Sequence, residues 1–157
     1  MTAPPRGNNG YSVYFITAST FQKQSLFQSD RFSLPFIETL LNYRLQRKYL
    51  LHEFVVMPNH FHLLLTPTLT LERALQFIKG GFSHRFRKET GSRADIWESS
   101  FTNHRIRAWD DYDKHRRYIH FNPVRAGLSQ LPQDFPYSSA HPGFALDAAP
   151  QRLKPVA

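Results

Sequence analysis

Between Leu50 and Pro67 the chain reads LLHEFVVMPNHFHLLLTP, two apolar, β-prone runs separated by Pro58 and Asn59. Proline cannot donate to a strand ladder and Pro-Asn favours a turn, so the segment is neither one continuous strand nor one helix. A β-hairpin is the economical solution. In its second strand His60 and His62 flank Phe61; because side chains alternate, both imidazoles project from one face and the phenyl ring from the other. Two rungs separate the imidazoles by about 6.5 to 7 Å along the backbone. Such a pair suits one divalent ion, with positions left for a third protein ligand, water and a substrate oxygen. It equally suits two histidines on the solvated face of a half-buried strand, and the surrounding chain has to decide.

The rest of the pattern frames that β-hairpin. YSVYFITAST, from Tyr11, alternates with the period of a strand. Pro35 fits the first turn of a helix, and Phe36, Ile37, Leu40, Leu41 and Leu45 follow near helical spacing. Thr70 is placed to cap a second helix through Leu71, Ala74, Leu75, Ile78, Phe82 and Phe86, weakened in its middle by Gly80 and Gly81. IWESSFTNHRIR is strand-like at both ends. The charged stretch from Asp110 to Arg117 leads into YIHFNPVRAGL, a helix that ends or kinks near Pro123 and stops by Gly127. This order predicts an α+β fold, a ferredoxin-like antiparallel sheet with helices on one face plus an added C-terminal helix. We read residues 1–10 as a flexible arm, 11–139 as a single domain and 140–157 as an irregular tail.

Charge narrows the function. Twenty Lys and Arg against 12 acidic residues leave a formal charge of +8, the footprint of a protein that meets polyanions, with nucleic acid foremost. Cysteine is absent, which excludes disulfides, thiolate zinc fingers and cysteine nucleophiles. No apolar run approaches the roughly 18 to 20 residues of a membrane span, and the opening MTAPPRGNNG has no apolar core for a secretory signal. The expectation is a cytoplasmic protein with no membrane partner.

Tyr118 and Asn122 stand four residues apart and share one helix face. A phenol and a carboxamide oxygen are thereby aligned, the oxygen suited to Mg²⁺ or Mn²⁺ and the phenol to a phosphate held beside the ion. Taken alone, such a pair is also ordinary packing and capping. Together, VVMPNHFHLLL (Val55 to Leu65) and YIHFNPVRAGL (Tyr118 to Leu128) resemble the two motifs of the single-tyrosine HUH transposases, also called IS200-like, and most closely the REP-associated tyrosine transposase branch. The likeness runs from Tyr11 to Ser139 and makes that span an HUH transposase-like catalytic domain. It departs at Glu98, where the family pattern has Gln after the tryptophan.

The resemblance implies that His60, His62 and Asn122 hold Mg²⁺ or Mn²⁺ and that Tyr118 is the nucleophile. It implies cleavage and rejoining of single-stranded DNA through a 5′-phosphotyrosine, on DNA carrying a hairpin formed from REP-like palindromes. A free phenol ionises near pH 10, so the tyrosine needs a base or cationic surroundings, and Lys114 and His115 lie within a turn of it. For phosphate contacts the candidates are Lys79, Arg85, Lys88, Arg105, Arg107, Arg117 and Arg125, with some of these merely solvated. Phe82, Phe86 and Trp97 suit either base stacking or the core. Two other readings stand beside this one: a non-enzymatic ferredoxin-like module binding RNA or single-stranded DNA, and a hydrolase whose metal activates water. The residues leave the oligomeric state open.

Overall fold

The computed structural model describes residues 12–151 and 153. The arm expected over 1–10, and Tyr11, lie outside the described residues. Strand β1 (Val13–Ser19) is followed by helix α1 (Asp30–Leu45), then β2 (Tyr49–Met57), β3 (His60–Pro67), α2 (Leu71–Thr90), β4 (Thr102–Ile106) and α3 (Trp109–Arg125). The strands form one sheet in the order β2-β3-β1-β4, every neighbouring pair antiparallel, which is the ferredoxin-like arrangement. Pro58 and Asn59 make the two-residue turn between β2 and β3, with Met57 facing His60.

Register divides the side chains into two layers. Tyr14, Ile16 and Ala18 of β1 lie opposite Leu65, Leu63 and Phe61, whereas Phe15 and Thr17 lie opposite Leu64 and His62. Phe61 meets Phe36 of α1 at a ring separation of 4.9 Å, and Phe36 in turn meets Phe82 of α2. With Phe27 and Trp97 these rings form the centre of the core on that face. Phe61 is fully buried, so its truncation to Ala would cost about 3 to 5 kcal/mol. Phe82 and Trp97 are thus spent on packing, and the Trp97 indole N–H donates to Lys79 O at 3.1 Å.

Helix α1 begins earlier than its sequence suggests. Asp30 opens it, so Pro35 sits inside and forfeits the bond its N–H would have donated to Arg31 O. Thr70 caps α2 by accepting from the Arg73 N–H at 3.1 Å. A Cβ at Gly81 would stand 2.7 Å from the Tyr43 ring, so the glycine that weakens α2 also lets α1 approach it.

Helix α3 covers the other face. Its first turn carries Asp110 and Asp111, which offset the positive end of the helix dipole in place of a side-chain cap. It runs through Pro123 to Arg125 and closes on Gly127 at φ 75°, with Leu128 N–H bonded to Pro123 O and Gly127 N–H to Val124 O. That paired closure is the Schellman pattern. A bulge between Leu51 and Glu53 breaks the period of β2 and turns both His52 and Glu53 toward α3. His52 reaches Tyr112 and Thr66, and Glu53 reaches His120 at 2.7 Å. Beyond α3 the described residues form no long helix or strand, but they seal the edge of β2. Ser139 N–H donates to Phe54 O, and Asp147 accepts a bidentate pair from Arg44 and a bond from Leu51 N–H.

Candidate active site

The two histidines and the tyrosine meet between β3 and α3. His60 and His62 project from the α3 side of the sheet with ring centroids 4.8 Å apart. Tyr118 packs edge-on against His62 at 5.3 Å, Phe15 of β1 stacks on that imidazole at 5.2 Å, and Phe15 and Tyr118 meet each other at 5.9 Å. The register of β1 also brings Thr17 to His62, its hydroxyl 2.8 Å from Nδ1. An Nδ1–H donating to Thr17 leaves the lone pair on Nε2. His60 Nδ1 is held the same way by Asn59 Oδ1 at 2.8 Å. Each ring is therefore oriented through one nitrogen, which leaves the other free to ligate.

Burial keeps the pair uncharged. It pushes His62 down to about 3, with the neighbouring His60 adding to the effect. Burial likewise lowers His60, assisted by the Lys23 cation. Neutral imidazoles are the form that binds metals.

Two polar atoms here have no hydrogen-bond partner among the described residues although both are buried: His62 Nε2 and Asn122 Oδ1. Leaving either unsatisfied costs about 1 to 3 kcal/mol. Two imidazoles with an amide oxygen form a donor set suited to a divalent ion such as Mg²⁺ or Mn²⁺, so these residues fit the metal that the motif implies.

Tyr118 is 42% exposed. The Arg125 guanidinium lies over its ring at 4.6 Å and donates to its carbonyl at 2.9 Å. Of the other candidate cations, Arg117 lines a cavity that Tyr118 also lines, and it pairs with Asp113 at 3.2 Å. The rest sit elsewhere. Lys79, Arg85 and Lys88 belong to α2, across the sheet; Lys79 donates to Glu98 O at 2.8 Å and Arg85 pairs with Glu38 at 2.6 Å. Arg105 lies opposite Tyr14 and so on the α2 side, and Arg107 follows β4. Glu98, the departure from the family pattern, accepts from the Gln22 N–H at 2.6 Å.

Nearby, His104 of β4 and His115 of α3 both meet the Asp111 carboxylate, at 2.6 and 3.1 Å. These three donors lie within 4.8 Å of one another. Thr17, Glu53, the role of Asn59 toward His60 and the grouping of His104 and Asp111 with His115 were not singled out by sequence reasoning, which named His115 only as a neighbour of Tyr118. Asn59, adjacent to His60, and Asp111, four residues before His115, left local signals; the others depend on strand register, the bulge or helix docking.

A model of the family described as transposase IS200-like matches residues 11–122. The chain belongs to the IS200-like transposase family. A REP-associated tyrosine transposase of Escherichia coli is 27% identical over 135 residues, 82% of this chain and 76% of its own. A Haemophilus influenzae relative named for the same class is 32% identical over 98 residues, 55% of this chain. The match spans 56% of that relative, little more than half its length. Among solved structures, a REP-associated tyrosine transposase bound to a REP hairpin superposes with a TM-score of 0.72 at 24% identity, covering 95% of this chain and 92% of the other. At that identity the likeness establishes the fold. Within this transposase fold α3 occupies the sheet face that an RNA-recognition module would leave open for stacking bases, so that alternative lacks its binding surface.

Proposed function

We propose that the chain is a metal-dependent, single-strand-specific DNA strand transferase that cleaves and rejoins DNA through a 5′-phosphotyrosine on Tyr118. The observation that carries this reading is the pair of partnerless buried atoms, His62 Nε2 on β3 and Asn122 Oδ1 on α3, one turn beyond the Tyr118 ring that packs against His62. In our reading His60, His62 and Asn122 hold Mn²⁺ or Mg²⁺, and the ion, when bound, offsets charge on a phosphate oxygen in the transition state. Thr17 and Asn59 fix the imidazole tautomers, and Phe15 fixes the plane of His62.

Tyr118 supplies the nucleophile. Its phenolic oxygen forms a bond to phosphorus as the bond to the 3′ oxygen breaks; the phenol gives up its proton and the departing oxygen ends as a hydroxyl. The phosphodiester energy is retained in the tyrosine ester, so a second 3′-hydroxyl reverses the step. Arg117 and Arg125 neutralise the strand near the phenol. By analogy with the hairpin-bound relative, the substrate is single-stranded DNA carrying a hairpin from REP-like repeats, processed in the cytoplasm.

The test is incubation of the protein with labelled single-stranded DNA from the flanks of its own locus and Mn²⁺ or Mg²⁺, followed by denaturing electrophoresis. A protein–DNA adduct is expected from the wild type and none from Tyr118→Phe. An adduct that persists in Tyr118→Phe sinks the nucleophile assignment. Cleavage without any adduct would favour hydrolysis by activated water.

A further inference from the structure

Beside Tyr118 the surface opens into a cavity of about 390 Å³. Phe15, His115 and Phe121 supply flat walls, and Lys114, Arg117 and Arg125 supply cations. The lining contains no carboxylate. Phe121 is 44% exposed, and among the described residues it enters none of the ring pairs that tie together Phe15, His62, His115 and Tyr118. Among the described residues Phe121, three residues beyond the phenol on α3, stands outside the packed core.

We infer that this cavity is a base-binding subsite, in which one nucleobase flanking the scissile phosphate stacks on Phe121. The inference rests on the single-strand reading of the site given above and adds to it where the base of the reacting nucleotide goes. The argument is one of shape and charge together. A planar, uncharged heterocycle attached to an anionic backbone matches planar aromatic walls with a cationic margin, the combination by which proteins hold unpaired bases. Tyr118 lines the same cavity, so a strand whose phosphate reaches the phenol carries its adjoining base across the opening. His115 is fixed for this role because its Nδ1–H donates to Asp111 O at 2.8 Å, and its ring lies 4.6 Å from Phe15. Stacking of this kind tolerates any base, so the subsite contributes affinity and register more than sequence choice.

Fluorescence anisotropy at fixed ionic strength tests it with two probes, a 12-nucleotide oligothymidylate and an abasic strand of equal length that keeps every phosphate. Phe121→Ala and Phe121→Leu are expected to weaken oligothymidylate binding about fivefold or more while leaving the abasic strand within about twofold of wild type. Phe121→Tyr, which keeps the ring, is expected to bind both probes as wild type does. Arg117→Gln is expected to weaken both alike. Equal loss on the two strands in the Phe121 variants, or loss on neither, overturns the subsite. Adduct formation by the wild type is scored separately. Its absence alongside base-selective loss would defeat the strand-transfer chemistry and leave the subsite standing, whereas adduct formation without base selectivity would do the reverse.

Discussion

Two histidine clusters lie on the α3 side of the sheet, and they are built on opposite principles. His60 and His62 are embedded: burial holds them neutral, each is oriented through Nδ1, and the buried Nε2 of His62 faces no partner. His104 and His115 are satisfied: Asp111 lies between them, their rings stack at 5.0 Å, and His104 is 52% exposed. Proximity of donor atoms alone would rank the second group higher, since it supplies three ligating residues within 4.8 Å. Satisfaction reverses the ranking. A hydrogen-bonded, solvated group gains little from an ion, because binding must first break contacts already made, whereas a desolvated lone pair gains the whole interaction. The second group ties the start of α3 to β4; the first is the one with unmet valence.

The largest expected effect breaks or sustains that contrast directly. His62→Ala and Asn122→Leu should lower adduct formation on the order of 100-fold or more, since each removes a donor acting on the reacting phosphate. Asp111→Asn and His104→Ala should lower it less than about tenfold. Comparable losses in both sets, measured as single-turnover adduct rates, would erase the distinction. Next in size is metal stoichiometry. Calorimetric titration of the full chain with Mn²⁺ is expected to show one ion, lost in His62→Ala and kept in Asp111→Asn. A second ion that disappears with Asp111→Asn would make the satisfied cluster a metal site after all.

The smallest effect concerns pH and the metal-free protein. Burial holds the His62 proton off until about pH 3, while an unfolded histidine takes it up near pH 6.5. His52, buried between Ala148 O and Thr66 Oγ1, is shifted in the same direction. Between those limits the unfolded chain binds more protons, so stability is intact above about pH 6.5 and declines as pH falls through the window. Urea midpoints recorded from pH 7.5 to 4.5 should follow that decline, with a shallower slope in His62→Gln. A wild-type midpoint that does not move with pH would show that His62 is not desolvated.

Much of this was legible in the residues because it is local. Period-2 alternation places His60 and His62 on one face, the four-residue spacing places Tyr118 with Asn122, Pro58-Asn59 sets the turn, and Thr70 and Gly127 mark helix ends. Each of these depends on neighbours a few residues away, and backbone geometry converts such spacing into direction with little choice. Pro35 shows the limit even at this range, since α1 starts five residues before it and tertiary packing of Phe36 and Leu40 outweighs the lost hydrogen bond.

Other features were decided only by the folded molecule. Nothing in the spacing of α3 says that it packs on the sheet face opposite α1 and α2, or that the basic residues divide so that Arg117 and Arg125 flank the phenol while Lys79, Arg85 and Lys88 lie across the sheet. Thr17 meets His62 across 45 residues, and the bulge that sends Glu53 to His120 joins residues 67 apart. Such pairings depend on which surfaces are complementary once the sheet has formed, and on an irregularity that breaks the very period from which sequence is read.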